Sequence, residues 1–250
     1  MTVDQIVRIS EFGKSYQDEF LSEFDTKLLE QDSWKALLFF FRCSFMRGRR
    51  DTLSGDFLKK AITVLEKISL NKMIVDNTIS DFIQDEEWQE NLKRKLHSGG
   101  VNNRVDRKMI VSTLIFLNEQ TKDNNIVTYS TQKIRKGLLG KVYLKLDGVF
   151  GIGAKLASFF LRDLVCLYRL ESYVEDDDLA LLQPVDVWVD RVTERLGIIE
   201  TNDLLEAKRE KIVKACQQAN VHPISFNQGC WYAGYSKKTD EILAQAITSV

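Results

Sequence analysis

The stretch Leu146-Asp147-Gly148-Val149-Phe150-Gly151-Ile152-Gly153-Ala154-Lys155, followed by an apolar run from Leu156 to about Leu170, decides how this chain is read. Two glycines one residue apart permit a tight turn with positive φ and strip side chains from its surface. The helix that follows then presents backbone N–H groups and the positive end of its dipole. Such a turn can hold a phosphate oxygen, and because it touches backbone it is blind to base sequence. The same residues also describe a plain corner between two helices with a glycine cap. Gly-x-Gly alone does not separate these readings.

Working outward, apolar residues recur at helical spacing on both sides of this turn. Residues 3–31 carry the pattern in a charged background. Asp32-Ser33 can cap a helix that begins at Trp34 and runs through Leu37, Leu38, Phe39, Phe40 and Phe41, the most apolar segment of the chain. Further helices are expected near Asp56–Ile68, 80–96, 106–120 and 130–138, with Asp123-Asn124-Asn125 as a loop. Downstream, Glu171 to Asp178 holds five acids and no base, which reads as a solvated insertion. Pro184-Val-Asp186-Val-Trp188 leads into a helix that Gly197 stops. Helices near 201–219, 224–235 and 237–249 complete the chain. Alternating strands are absent, so the class is all-α.

Composition narrows the function classes. The formal net charge is −1, which excludes a globally basic nucleic-acid protein but leaves room for a local basic face. Residues 100–145 carry nine basic and three acidic side chains, one candidate for such a face. Cys43, Cys166, Cys216 and Cys230 form no Cys-x-x-Cys pair, so no zinc ribbon or iron–sulfur set is indicated. They are expected as reduced thiols in the cytoplasm. Apolar runs such as Ala36–Phe41 are too short to cross a bilayer, so no membrane partner is expected.

Two motifs together carry more than either alone. Gly151-Ile-Gly153-Ala-Lys155, followed by Pro184-Val-Asp186-Val-Trp-Val-Asp-Arg-Val-Thr-Glu-Arg-Leu-Gly197, resembles the helix-hairpin-helix DNA glycosylase superfamily, in particular 8-oxoguanine DNA glycosylases and endonuclease III-like enzymes. The resemblance covers about residues 146–198. It implies an all-α fold of two helical lobes around a DNA-binding cleft, with a helix-hairpin-helix motif. The multi-helix lobe would span 33–170, with the hairpin at 146–156. Residues 1–32 would join 184–250 in the second lobe, and 171–183 would be the acidic insertion. The implied partner is double-stranded DNA with a damaged or modified base, bound by a monomer. No cofactor and no metal is implied.

In that family's terms Lys155 matches the nucleophile that attacks the sugar C1′, and Asp186 matches the essential aspartate. Lys155 also reads as a phosphate-binding or solvated lysine, and Asp186 as a helix N-cap; capping does not exclude catalysis. Gly151 and Gly153 would hold the DNA backbone. Phe39 to Arg50 falls where the family places the loop that fills the gap left by a flipped base. Phe45 or Met46 would be the wedge, with Arg47, Arg49 and Arg50 on the backbone or the estranged base. The alternative is a core helix followed by a solvated basic turn. Phe226-Asn-Gln228-Gly-Cys-Trp-Tyr232 resembles the late helix where a glutamine reads the base and an aromatic stacks on it, with Gln228 and Tyr232 one helical turn apart. An amphipathic packing helix fits those residues as well.

Three features depart from the family pattern. Phe150 replaces the hairpin proline, Trp188 stands where many members have histidine, and the interval from Lys155 to Asp186 is longer. The expected activity is excision of a modified base, with an 8-oxoguanine-like purine favoured and a lysine Schiff base permitting strand cleavage. The alternatives are a monofunctional glycosylase for another modified base, including those of viral DNA, and a non-catalytic DNA-binding module.

Overall fold

The computed structural model describes residues 3–46 and 51–236, and among them every regular element is helical. In chain order the helices are α1 (Val3–Phe20), α2 (Thr26–Gln31), α3 (Ser33–Ser44), α4 (Asp51–Lys67), α5 (Leu70–Val75), α6 (Ser80–Ile83) and α7 (Glu86–Ser98). They continue with α8 (Arg104–Gln120), α9 (Ile126–Ile134), α10 (Leu139–Asp147), α11 (Gly153–Tyr168), α12 (Val187–Arg195), α13 (Leu205–Gln218) and α14 (Pro223–Tyr235). Among the described residues no helix is long and apolar enough to cross a membrane. The helix expected near 237–249 lies outside the described residues.

The chain divides into two compact units, a middle unit of Asp25–Phe160 and a flanking unit of Met1–Phe24 with Leu161–Val250. These limits differ from the 33–170 lobe expected from the sequence, and the contacts explain why. Asn125 caps α9 by accepting from Thr128 N at 2.9 Å, and its Nδ2 donates to the Leu29 carbonyl at 2.9 Å. That bond ties α2 into the middle unit. At the other limit, Arg162 and Asp163 in the second half of α11 bond to Tyr16 of α1, so this half belongs with the flanking unit.

In the middle unit α3 is sunk on nearly all sides. Asp32 caps it, its Oδ1 accepting from Lys35 N at 3.0 Å. Phe39, Phe40 and Phe41 are all buried, and Phe40 meets Phe160 edge to face with centroids 5.0 Å apart. Ring quadrupoles favour that geometry over a face-to-face sandwich. Phe45, read from the sequence as a wedge candidate, is fully buried and packs edge-on against Phe41 at 6.0 Å. It is a core residue, because the turn after α3 folds its aromatic back onto the helix.

In the flanking unit α1 lies against α14 with backbone in contact with backbone. A β-carbon at Gly229 would overlap the Ile9 carbonyl, and one at Gly13 would overlap the Ser225 carbonyl. Two glycines are thus required by close approach rather than by φ. Gly234 makes room in the same way for Trp188 of α12. The acidic segment forms two 3-10 turns, Glu171–Tyr173 and Asp176–Leu182. Its apolar end is anchored: Leu179 and Leu182 are buried, and buried Arg209 of α13 donates to the Gln183 carbonyl at 3.1 Å.

Candidate functional site

In the middle unit α10 and α11 are joined by a five-residue link, Gly148–Ile152. Val149 N donates to the Leu146 carbonyl at 3.0 Å and Ile152 N to the Val149 carbonyl at 2.9 Å, so the chain reverses within one tight turn. Val149 and Ile152 are buried and plug the turn into the core. Gly151 has φ +83° and Gly153 φ +62°, the left-handed region in which a side chain is strained. A β-carbon on Gly153 would meet nothing within 4 Å, so space does not demand this glycine; its backbone conformation does.

The turn is held from the side by α8. Phe150 N donates to Ser112 Oγ at 3.0 Å, and Lys108 Nζ stands 5.3 Å from the centroid of the Phe150 ring. Phe150 itself is 47 % exposed, which is unusual for phenylalanine and leaves an aromatic at the tip of the turn. Lys155 occupies the first turn of α11, half-buried, and its Nζ donates to the Met46 carbonyl at 3.0 Å. The glycine turn, Lys155 and the end of the α3 segment are therefore brought together. Met46 contributes its carbonyl to that arrangement. Arg47, Arg49 and Arg50 lie outside the described residues.

Asp186 belongs to the flanking unit and is the N-cap of α12. Its backbone is extended, and its Oδ1 accepts from Trp188 N at 2.9 Å and Val189 N at 3.0 Å. Two donors that the helix would leave unsatisfied end on this one oxygen. Oδ2 takes no part in the cap. Trp188 packs against Gly234 and has the Arg191 guanidinium 5.5 Å from its ring centroid. It serves here as a packing group.

Gln228 was expected to read a base edge; its surroundings correct that expectation. The residue is fully buried on α14. Its Oε1 accepts from Gln17 Nε2 at 2.8 Å, and its Nε2 donates to Asp163 Oδ1 at 3.4 Å. The network continues inward. Arg162, itself fully buried, donates from Nε to Asp163 Oδ1 at 2.9 Å, from Nη1 to Asn227 Oδ1 at 2.8 Å and from Nη2 to Tyr16 Oη at 2.8 Å. Tyr16 Oη in turn donates to Asp163 Oδ2 at 2.6 Å. A buried charge pair needs its remaining lone pairs and protons satisfied, and Gln228 helps do so. The amide is engaged by protein on both ends. Tyr232 is half-buried, with its ring stacked on Phe12 at 6.3 Å and its hydroxyl pushed above the ordinary range chiefly by a hydrogen bond with Glu19.

Sequence reasoning missed this network. The signal was Arg162-Asp163 set inside an otherwise apolar helix, a pair that must find partners if buried. All four cysteines are free thiols, and burial pushes Cys166 to about 11 and Cys216 to about 12, so neither is poised as a thiolate. Comparisons with family models, with curated proteins and with solved structures return no match to this chain.

Proposed function

We propose that the chain is a DNA glycosylase that excises a modified base, with α10, the glycine turn and α11 as its helix-hairpin-helix element. The observation that carries this reading is the turn itself: positive φ at both Gly151 and Gly153, with Lys155 in the first turn of the helix that follows. In this reading duplex DNA is the partner, and the turn and the N-terminus of α11 hold a backbone phosphate. The base leaves the stack, at a cost of a few kcal/mol, before chemistry begins. Asp186 Oδ2, the oxygen not used in capping, stabilises positive charge growing on the sugar. Lys155 Nζ, once released from the Met46 carbonyl and deprotonated, attacks C1′. The bond from C1′ to the base breaks, the base takes up a proton, and the opened sugar forms an iminium with the lysine. Elimination at the neighbouring phosphate then cuts the strand.

The experiment is borohydride trapping on a panel of duplexes, each with one modified base, an 8-oxoguanine duplex among them. A covalent protein–DNA adduct on one member is expected, absent in Lys155→Gln. Base release at the native rate by Lys155→Gln, with no adduct on any duplex, would sink the covalent route.

The Lys155–Met46 bond favours one second reading. A lysine ammonium held by a main-chain carbonyl suits a positioning or phosphate-binding role, and the reaction would then use water with Asp186 alone. Base release without strand cleavage or adduct distinguishes it.

A further inference from the structure

A second basic feature of the middle unit is not used by the hairpin chemistry. Between the end of α8, α9 and α10 lies a cavity of about 730 Å³. Lys122, Lys133, Lys141 and Lys145 line it, against the two acids Glu119 and Asp123. All four lysines are exposed, and none makes an ion pair with either acid. Four cations around two anions leave the wall at +2, in a chain whose net charge is −1. Unneutralised lysines converging on a concavity repel one another, and an anion between them removes that repulsion.

The remaining wall mixes the polar side chains of Gln120, Thr128 and Gln132 with apolar ones. Tyr129 lines the cavity, half-buried, its ring fixed edge-on to Phe116 at 5.8 Å. Leu144 lines it too and is 68 % exposed, a large apolar side chain without cover. A smaller cavity of about 280 Å³ adjoins this one, sharing Glu119, Gln120, Leu144 and Lys145 with it, and is lined also by Gly148 and Val149 of the turn. Ser112, which holds the Phe150 N–H, lines that smaller cavity. The lysine cavity and the cavity beside the glycine turn thus share part of their walls.

We propose that the lysine cavity binds a nucleoside phosphate, with the phosphate among the lysines and the nucleoside against Tyr129 and Leu144. A volume of several hundred Å³ is in the range of small-ligand sites. The nucleotide has two sources. It is either one unit of a DNA strand that runs on from the turn, a form that rests on the DNA-binding reading above, or a free nucleotide.

The test measures binding and needs no excision. Titrations use free dAMP by calorimetry and a fluorescein-labelled ten-nucleotide single strand by anisotropy. Both are repeated with the double variant Lys133→Glu/Lys141→Glu and with the gentler Lys133→Gln/Lys141→Gln. Binding that the charge reversal weakens by at least about tenfold, more than the neutral change does, supports the site, since each lost phosphate contact also flattens the salt dependence. Loss of dAMP binding assigns a free nucleotide; loss of strand binding with no dAMP binding assigns the strand. Failure of both probes to bind, or equal affinities in wild type and both variants, overturns the proposal. A protein that binds either probe at these lysines but never excises a base keeps this site and loses the glycosylase reading.

Discussion

Lys155 Nζ donates to the Met46 carbonyl at 3.0 Å, so the candidate nucleophile is also a tie between α11 and the chain that leaves α3. The two roles separate by substitution. Arginine can still donate to that carbonyl but does not serve as the amine nucleophile, because it stays protonated. Lys155→Arg is therefore expected to hold DNA affinity close to wild type and to lose the borohydride adduct entirely. Alanine is expected to lose both. An adduct surviving in Lys155→Arg would assign the nucleophile elsewhere.

Asp186 allows a similar separation. Asparagine is as good an N-cap as aspartate, so Asp186→Asn is expected to change stability by no more than a few tenths of a kcal/mol. Its excision rate should fall about 100- to 1,000-fold, the usual loss when one preorganised charge-stabilising group is removed. Asp186→Ala should lose the cap as well, at about 1 kcal/mol. Urea denaturation and single-turnover excision, run on both variants, read the two effects independently. Equal excision by wild type and Asp186→Asn would reduce Asp186 to its cap.

At Gly153 the backbone conformation and the space give opposite forecasts. Nothing blocks a β-carbon, yet φ is +62°. Gly153→Ala should therefore destabilise by about 1 kcal/mol through backbone strain, and Gly153→Asn by less, since asparagine visits the left-handed region. DNA affinity should fall in both, for all sequences alike. Calorimetric melting with anisotropy on two unrelated duplexes checks this, and unchanged affinity in both variants would leave the turn purely structural.

Gln228→Ala is expected to act on stability. It removes the partner of Gln17 and one donor to Asp163 inside the flanking unit, which typically costs about 1–3 kcal/mol. The range of bases excised should stay the same. A variant as stable as wild type but altered in base preference would restore the sequence-based assignment.

His222 gives a pH signature. Its Nδ1 accepts from Ile224 N at 3.3 Å at the start of α14, so the ring must be neutral there, and desolvation lowers its pKa from the ordinary imidazole range. A lowered folded-state pKa means that this stabilisation is present above the unfolded pKa, about 6.5, and is lost as pH falls through the folded value. The difference in urea midpoint between wild type and His222→Asn, measured from pH 8 to pH 4.5, should therefore shift toward the variant as pH drops. A constant difference would remove His222 from the pH dependence.

Much of this was legible in the residues. The two glycines announced the turn, Asp186 announced its cap, and Asp123-Asn124-Asn125 announced the break before α9, because each depends on a few neighbouring residues. Phe45 was not legible. An aromatic beside a run of arginines fits a DNA wedge, and only the fold of the turn onto Phe41 buries it. Gln228 failed for a related reason. Its spacing to Tyr232 is right, but α1, from the far end of the chain, covers that face of α14. The limit between the units was invisible because it falls inside α11, whose periodicity runs through it unbroken.

The pairing of α1 with α14 also bears on how the protein is made. The middle unit is continuous in sequence, so it can close while the ribosome is still adding α12 to α14, as domains emerging first generally do. The flanking unit has no such freedom. Ile9 must wait for Gly229, and Tyr16 for Arg162 and Asp163. Until then α1 emerges with its apolar face uncovered, a nascent segment for a chaperone to shield, and synthesis has to pass the whole middle unit before that face is buried.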